Sequence, residues 1–103
     1  MAIWWLRGES GSGKTTVAKR MLTKNTVHLD GDEMRATICK DLGFSEEDRR
    51  ENNLRIARLA RLLSDKGFDV VVSTICPYED LRQQIFWITK CRFLKIDGGY
   101  QHK

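Results

Sequence analysis

No stretch of the 103-residue sequence constrains the fold more than Gly8-Glu9-Ser10-Gly11-Ser12-Gly13-Lys14-Thr15. This is the spacing GxxxxGK(S/T), a loop whose glycines let the backbone curl until several N–H groups point at one phosphate. It works only between a strand that delivers it and a helix whose positive N-terminal end completes the cradle. Both flanks are present. Ala2–Leu6 (AIWWL) is a short aromatic and branched run, which predicts a buried strand. Lys14–Lys24 predicts a helix, with Val17, Ala18, Met21 and Leu22 at helical spacing and basic residues in the last turns. In that context Gly8 to Thr16 form an expected ATP-binding segment. Lys14 supplies a charge for the β- and γ-phosphates, and the Thr15 hydroxyl a ligand for Mg²⁺.

The rest of the chain alternates in the same way. Thr26–Leu29 reads as a second strand closed by Asp30-Gly31-Asp32, and Glu33–Asp41 as a short helix stopped at Gly43. Ser45 opens the longest helix, with Glu46, Glu47 and Asp48 in its first turn. Ile56, Leu59, Ala60 and Leu63 give it one core-facing stripe, Arg55, Arg58 and Arg61 face outward, and Gly67 ends it. Phe68–Ile75 is nearly all apolar, as a strand covered on both faces should be, and Pro77 blocks its continuation. Glu79–Thr89 predicts a further helix and Arg92–Ile96 a fourth strand, ending at Asp97-Gly98-Gly99. This succession predicts an α/β fold, a parallel sheet of about four strands flanked by helices, in a single domain over residues 1–103.

Composition narrows the function classes. At 41% hydrophobic and 31% charged residues the chain has an ordinary globular mix. No apolar run approaches the roughly 18 residues of a membrane helix, so no membrane partner is expected. The net charge of +4 is mild, and the arginines lack interleaved aromatics, so no nucleic acid is expected either. Cys39, Cys76 and Cys91 are odd in number with no metal-like spacing, and Met1–Leu6 runs straight into the loop. Reduced thiols and no signal peptide predict a cytoplasmic protein.

Asp30 and Asp32 lie past the end of the second strand, where open parallel sheets gather their ligands. Two carboxylates there can organise Mg²⁺ and orient an attacking hydroxyl. An ordinary Asp-Gly turn is the alternative. Many P-loop proteins end an apolar strand with a Mg²⁺-organising Asp, but this one finishes with Ser73-Thr74. The Asp30/Asp32 pair is the best substitute available.

Four blocks, in order, resemble the adenylylsulfate kinase family: GESGSGKTT at 8–16, LDGDEMR at 29–35, DLGFSEEDRRENN at 41–53 and VVVSTICPYEDLR at 70–82. The second and third together are highly specific to it. The resemblance implies transfer of the ATP γ-phosphate to the 3′-hydroxyl of adenosine 5′-phosphosulfate. It implies that Asp30 helps place the metal and that Asp32 orients or deprotonates the hydroxyl. Arg35, Arg49 and Asn52 would bind the acceptor's phosphosulfate and ribose, Phe44 would stack on its adenine, and Ile75 and Pro77 would line the pocket. The residue types suit these roles, since guanidinium forks fit tetrahedral anions and an aromatic face fits a base.

The family continues past the fourth strand with a lysine-bearing lid, a second aromatic, a fifth strand and closing helices, parts this sequence does not contain. A sheet so shortened is expected to expose an edge and a face, favouring a homo-oligomer. Glu9 stands where the family has an apolar residue and is expected to point to solvent. Cys76 stands where the family has serine; inert packing is expected, a redox-sensitive thiol being the alternative. Trp4 and Trp5 face opposite sides of a strand and both read as core. Two other functions stay open, a P-loop kinase with a different small-molecule acceptor and a non-catalytic nucleotide-binding or assembly module.

Overall fold

The computed structural model describes residues 2–9 and 11–96. Four parallel strands, β1 (Ile3–Arg7), β2 (Thr26–Asp30), β3 (Asp69–Thr74) and β4 (Arg92–Lys95), stand in the order β2-β3-β1-β4. The helices between them are α1 (Lys14–Arg20), α2 (Gly31–Ala36), α3 (Glu46–Asp65) and α4 (Glu79–Thr89). Every strand therefore ends on the same side of the sheet, and the loop after β1 sits there with the ends of β2, β3 and β4.

Strand alternation divides the core. Ile3 and Trp5 of β1 and Val70 and Val72 of β3 face Ile56, Ala57 and Ala60 of α3 and Leu81 and Ile85 of α4, all buried. The opposite face is smaller, Leu6 and Val71 packing on Ala18 of α1. Trp5 is the anchor expected, fully buried, whereas Trp4 is half-buried against the smaller cluster. The long helix follows its signals. Ser45 Oγ accepts from the Asp48 amide at 3.1 Å, and Asp48 Oδ2 accepts from the Gly43 amide at 2.8 Å, so each end of the turn caps the other. Gly67, at φ +100°, closes the helix, its amide donating to the Ser64 carbonyl and the Phe68 amide to that of Leu63.

Two helix boundaries differ from expectation. α1 stops at Arg20 rather than Lys24, because the Met21 and Leu22 amides turn to the carbonyls of Ala18 and Lys19, three residues back. α2 starts at Gly31 and ends at Ala36, not Glu33 to Asp41. Asp30 caps it, so Asp30-Gly31-Asp32 is a helix start rather than a plain turn. Its far end is drawn off by Thr37, whose hydroxyl donates to the Glu33 carbonyl at 2.7 Å. Among the described residues β4 is an edge strand, paired only with β1. Leu94 lies opposite the fully buried Leu6 yet is 37% exposed, and Trp87 on α4 is 74% exposed. The Asp97-Gly98-Gly99 end expected for this strand lies outside the described residues.

Candidate functional site

The loop after β1 has the backbone its glycines were expected to allow. Gly11 and Gly13 take φ of +81° and +96°, the left-handed region that costs glycine no Cβ clash. Gly13 is the N-cap of α1, and its carbonyl accepts from the Val17 amide at 3.1 Å. Gly8 is needed for room: a Cβ there would strike the Ile96 carbonyl and lie 2.8 Å from Ser12 Oγ. Lys14 Nζ donates to the Glu9 carbonyl at 2.8 Å, folding the lysine over the loop it serves. Partial burial lowers the ammonium's pKa, and the charges of Asp30 and Asp32 oppose that shift. Ser10, expected among the ATP contacts, lies outside the described residues.

A cavity of about 370 Å³ opens between this loop and the ends of β2 and β3. Gly11, Gly13, Lys14 and Thr15 form one wall; Asp30, Asp32, Arg35, Asn52 and Ile75 lie across it. Asp30 is the fixed element. Its Oδ2 accepts from the amides of Asp32 and Glu33, both at 3.2 Å, and its Oδ1 accepts from the Ser73 hydroxyl at 3.1 Å. Because that hydroxyl spends its proton on Asp30, the His28 ring, 2.8 Å from Ser73 Oγ, must donate through Nε2. Asp32, at the start of α2, projects freely with its side chain 95% exposed, and Arg35 Nη1 reaches it only at 4.0 Å. Among the described residues two buried polar atoms of this cavity have no partner, the donor Arg35 Nε and the acceptor Asn52 Oδ1.

A larger cavity, about 650 Å³, lies on the other side of the loop and shares Gly11 and Ile75 with the first. Gly8, Glu9, Ser12 and Pro77 line it, as do Arg7, Cys76, Arg82 and Lys95. Glu9 is exposed, as its place in the loop required. Cys76 is 2% exposed and burial pushes its thiol up to about 11, so it is the inert packing expected.

Three expected site residues line neither cavity. Thr16 is exposed on α1. Phe44 is 70% exposed, with the Arg35 guanidinium 4.8 Å above its ring. Arg49 donates through Nε to the Phe44 carbonyl at 2.7 Å. The pair flanks the smaller cavity through Arg35, rather than opening into it. Sequence reading passed over Asn53 and Thr74. Thr74 Oγ1 accepts from Trp5 Nε1 at 3.0 Å and donates to Asn53 Oδ1 at 2.8 Å, while Asn53 Nδ2 donates to the Arg49 carbonyl at 3.0 Å. The signal available was the polar Ser73-Thr74 step at the end of an otherwise apolar strand.

Among the described residues no group of three or more His, Cys, Asp and Glu could hold a metal ion unaided. The donors that face the cavity, Thr15, Asp30 and Asp32, are hard oxygens. They suit Mg²⁺, which keeps several waters and takes one or two protein oxygens beside phosphate.

A parallel sheet with the loop between its central strand and α1 defines the class of P-loop proteins. More narrowly, the chain belongs to the adenylylsulphate kinase family, whose sequence profile matches residues 1–97. The adenylyl-sulfate kinase of Vibrio cholerae is 47% identical over 90 residues, which are 82% of this chain and 42% of that protein. The chain thus spans less than half the length of such relatives. The APS kinase of Mycobacterium tuberculosis, solved in complex with AMPPNP and APS, superposes with a TM-score of 0.76 at 36% identity, over 91% of this chain and 60% of that one. The hexameric APS kinase of Thiobacillus denitrificans gives 0.76 at 26%, over 90% and 21%.

Proposed function

We propose that this chain carries the ATP and acceptor sites of an adenylylsulfate kinase. The reaction moves the γ-phosphate of MgATP to the 3′-hydroxyl of adenosine 5′-phosphosulfate, giving 3′-phosphoadenylylsulfate, in a single cytoplasmic domain. One observation carries this reading: a single cavity brings Lys14 and Thr15 of the phosphate loop together with Asp30, Asp32, Arg35 and Asn52. An ammonium, a guanidinium, two carboxylates and a side-chain amide around one space suit a ligand that bears both anionic groups and hydroxyls. The Mycobacterium tuberculosis relative, solved with an ATP analogue and APS, supports the same pairing of ligands.

Phosphoryl transfer asks the protein mainly for in-line positioning and charge neutralisation. The amides of residues 8–16 and the Lys14 ammonium hold the phosphate chain, Lys14 exchanging its bond to the Glu9 carbonyl for phosphate oxygen. Thr15 and Asp30 would hold the metal, with Asp30 aimed by Ser73 and by the two amides it caps. Bound Mg²⁺ neutralises charge on the phosphates. Asp32, unencumbered at the rim, orients or deprotonates the 3′-hydroxyl, a contribution of about 10²-fold. Arg35 and Asn52 bind the phosphosulfate and ribose. Arg49 holds the loop bearing Phe44, whose open ring face receives the adenine, and Ile75 and Pro77 close the apolar side.

The test is MgATP turnover with and without adenylylsulfate, following ADP and the 3′-phosphorylated product together. Product formed in step with ADP supports the reading. ATP binding without any product would favour a nucleotide-binding module instead. Phosphorylation of gluconate or a nucleoside but not adenylylsulfate would leave the fold and change the acceptor.

A further inference from the structure

The larger cavity enters the reaction as derived only through the loop backbone and the apolar Ile75 and Pro77, yet Arg7, Arg82 and Lys95 also line it. Arg7 ends β1 and Lys95 ends β4, and the two strands pair so that these residues stand directly opposite each other. Strand alternation puts both on the face of Trp5 and Phe93, whose rings are 6.1 Å apart. Like charges directly opposite on neighbouring strands are destabilising unless something between them is negative. Arg82 of α4 approaches from the helix side, held by a 2.8 Å bond from Nη1 to the Cys76 carbonyl, which leaves the rest of its fork free. Among the described residues none of the three is in an ion pair. Among the described residues Glu9 is the single carboxylate of the lining, and it sits exposed on the loop. Ser12 Oγ, also of this lining, is buried without a partner.

We propose that Arg7, Arg82 and Lys95 form a second oxyanion subsite, across the phosphate loop from Lys14, that takes a phosphate or sulfate group. Two guanidinium forks and an ammonium around one space suit a tetrahedral oxyanion. Burial raises the pKa of the Cys76 thiol, and the charges of Arg82 and Arg7 oppose that shift, so both guanidiniums reach toward this lining residue. The subsite adjoins the smaller cavity, the two sharing Gly11 and Ile75 in their walls. The oxyanion has two sources, the phosphosulfate end of the acceptor or the phosphate chain of the nucleotide. The chemistry of the subsite is the same for either and does not depend on the kinase reading.

Inorganic sulfate is the first probe. Calorimetric titration of the chain should give two sulfate sites. Arg82→Gln and Lys95→Gln should each weaken one of them by about tenfold or more, the loss expected for a charge-assisted hydrogen bond. Lys14→Ala should weaken the other. Unliganded, Lys95→Gln should unfold no earlier than wild type, because it removes a like charge opposite Arg7, and Arg82→Gln only slightly earlier, because it gives up its bond to the Cys76 carbonyl. A single sulfate site, or a second one indifferent to Arg82 and Lys95, overturns the proposal. Adenylylsulfate, AMP and MgATP then identify the source. Weakened adenylylsulfate with unchanged AMP assigns the subsite to the acceptor's sulfate, whereas weakened MgATP assigns it to the nucleotide. If the chain fails to phosphorylate adenylylsulfate yet retains both sulfate sites, the kinase reading falls and the subsite stands.

Discussion

Thr74→Val removes one oxygen and leaves the shape of the side chain intact, so it isolates what the buried hydroxyl does at the end of β3. Thr74 is 4% exposed, and its two hydrogen-bond partners, Trp5 and Asn53, are 0% and 2% exposed. Valine keeps the β-branched fit to a central strand and opens no cavity, so neither packing nor strand preference should change sign. What changes is that the Trp5 indole N–H and the Asn53 amide oxygen both lose their 3.0 and 2.8 Å bonds where water cannot replace them. At about 1–3 kcal/mol for each stranded group, with some relaxation, the loss should be about 2–4 kcal/mol. Against a typical domain stability of about 5–15 kcal/mol this is large. Urea unfolding monitored by tryptophan fluorescence reads it directly, as a lower midpoint with unchanged slope. Thr74→Ser, which keeps the hydroxyl and drops a methyl, should lose about 1 kcal/mol. The reasoning is refuted if the valine variant matches wild type, or if it is no less stable than the serine variant.

Gly8→Ala should abolish tight MgATP binding, because its Cβ meets the Ile96 carbonyl and the loop must shift to admit it; equilibrium titration with a fluorescent ATP analogue checks this. Asp32→Asn should cut turnover by about 10²-fold while leaving ATP affinity nearly unchanged, since the side chain is 95% exposed and its proposed role is on the acceptor's hydroxyl. A thiol whose folded pKa is raised holds its proton while the unfolded chain loses it. Cys76, raised to about 11, and Cys91, also raised by burial, therefore make stability fall as pH climbs from the ordinary thiol range, about 9, toward 11. Cys76→Ala should flatten that part of the pH–stability curve. Iodoacetamide at pH 8 should label Cys76 only as fast as the protein unfolds.

Elements announced by their own residues were legible in the sequence. The loop at 8–15 carries its glycines and lysine in a row, Ser45 and Asp48 cap α3 three residues apart, and α4 runs from Glu79 to Thr89 as its pattern indicates. Asp30 was legible as important but not as a helix cap, since its partners are backbone amides that exist only once Gly31 turns into α2. The site was half legible. Lys14, Thr15, Asp32, Arg35 and Asn52 do converge, whereas Phe44 and Arg49 stand outside the cavity lining, joined by the bond from Arg49 Nε to the Phe44 carbonyl. The Trp5–Thr74–Asn53 bonds and the opposition of Arg7 to Lys95 depend on register between strands far apart in the chain. No local pattern reports that register.

The strand order also has a consequence for how the chain comes into being. β1 is made first but lies between β3 and β4, and its partners arrive only with residues 69–74 and 92–95. During synthesis the first strand must wait, unpaired, while β2 and three helices emerge, and closing so long a loop is slow. The glycine loop hangs from that strand, so it acquires its curl at the end of folding rather than at the start. Nucleotide binding should accordingly appear only with the last kinetic phase of refolding, and added MgATP should slow unfolding without speeding the early steps.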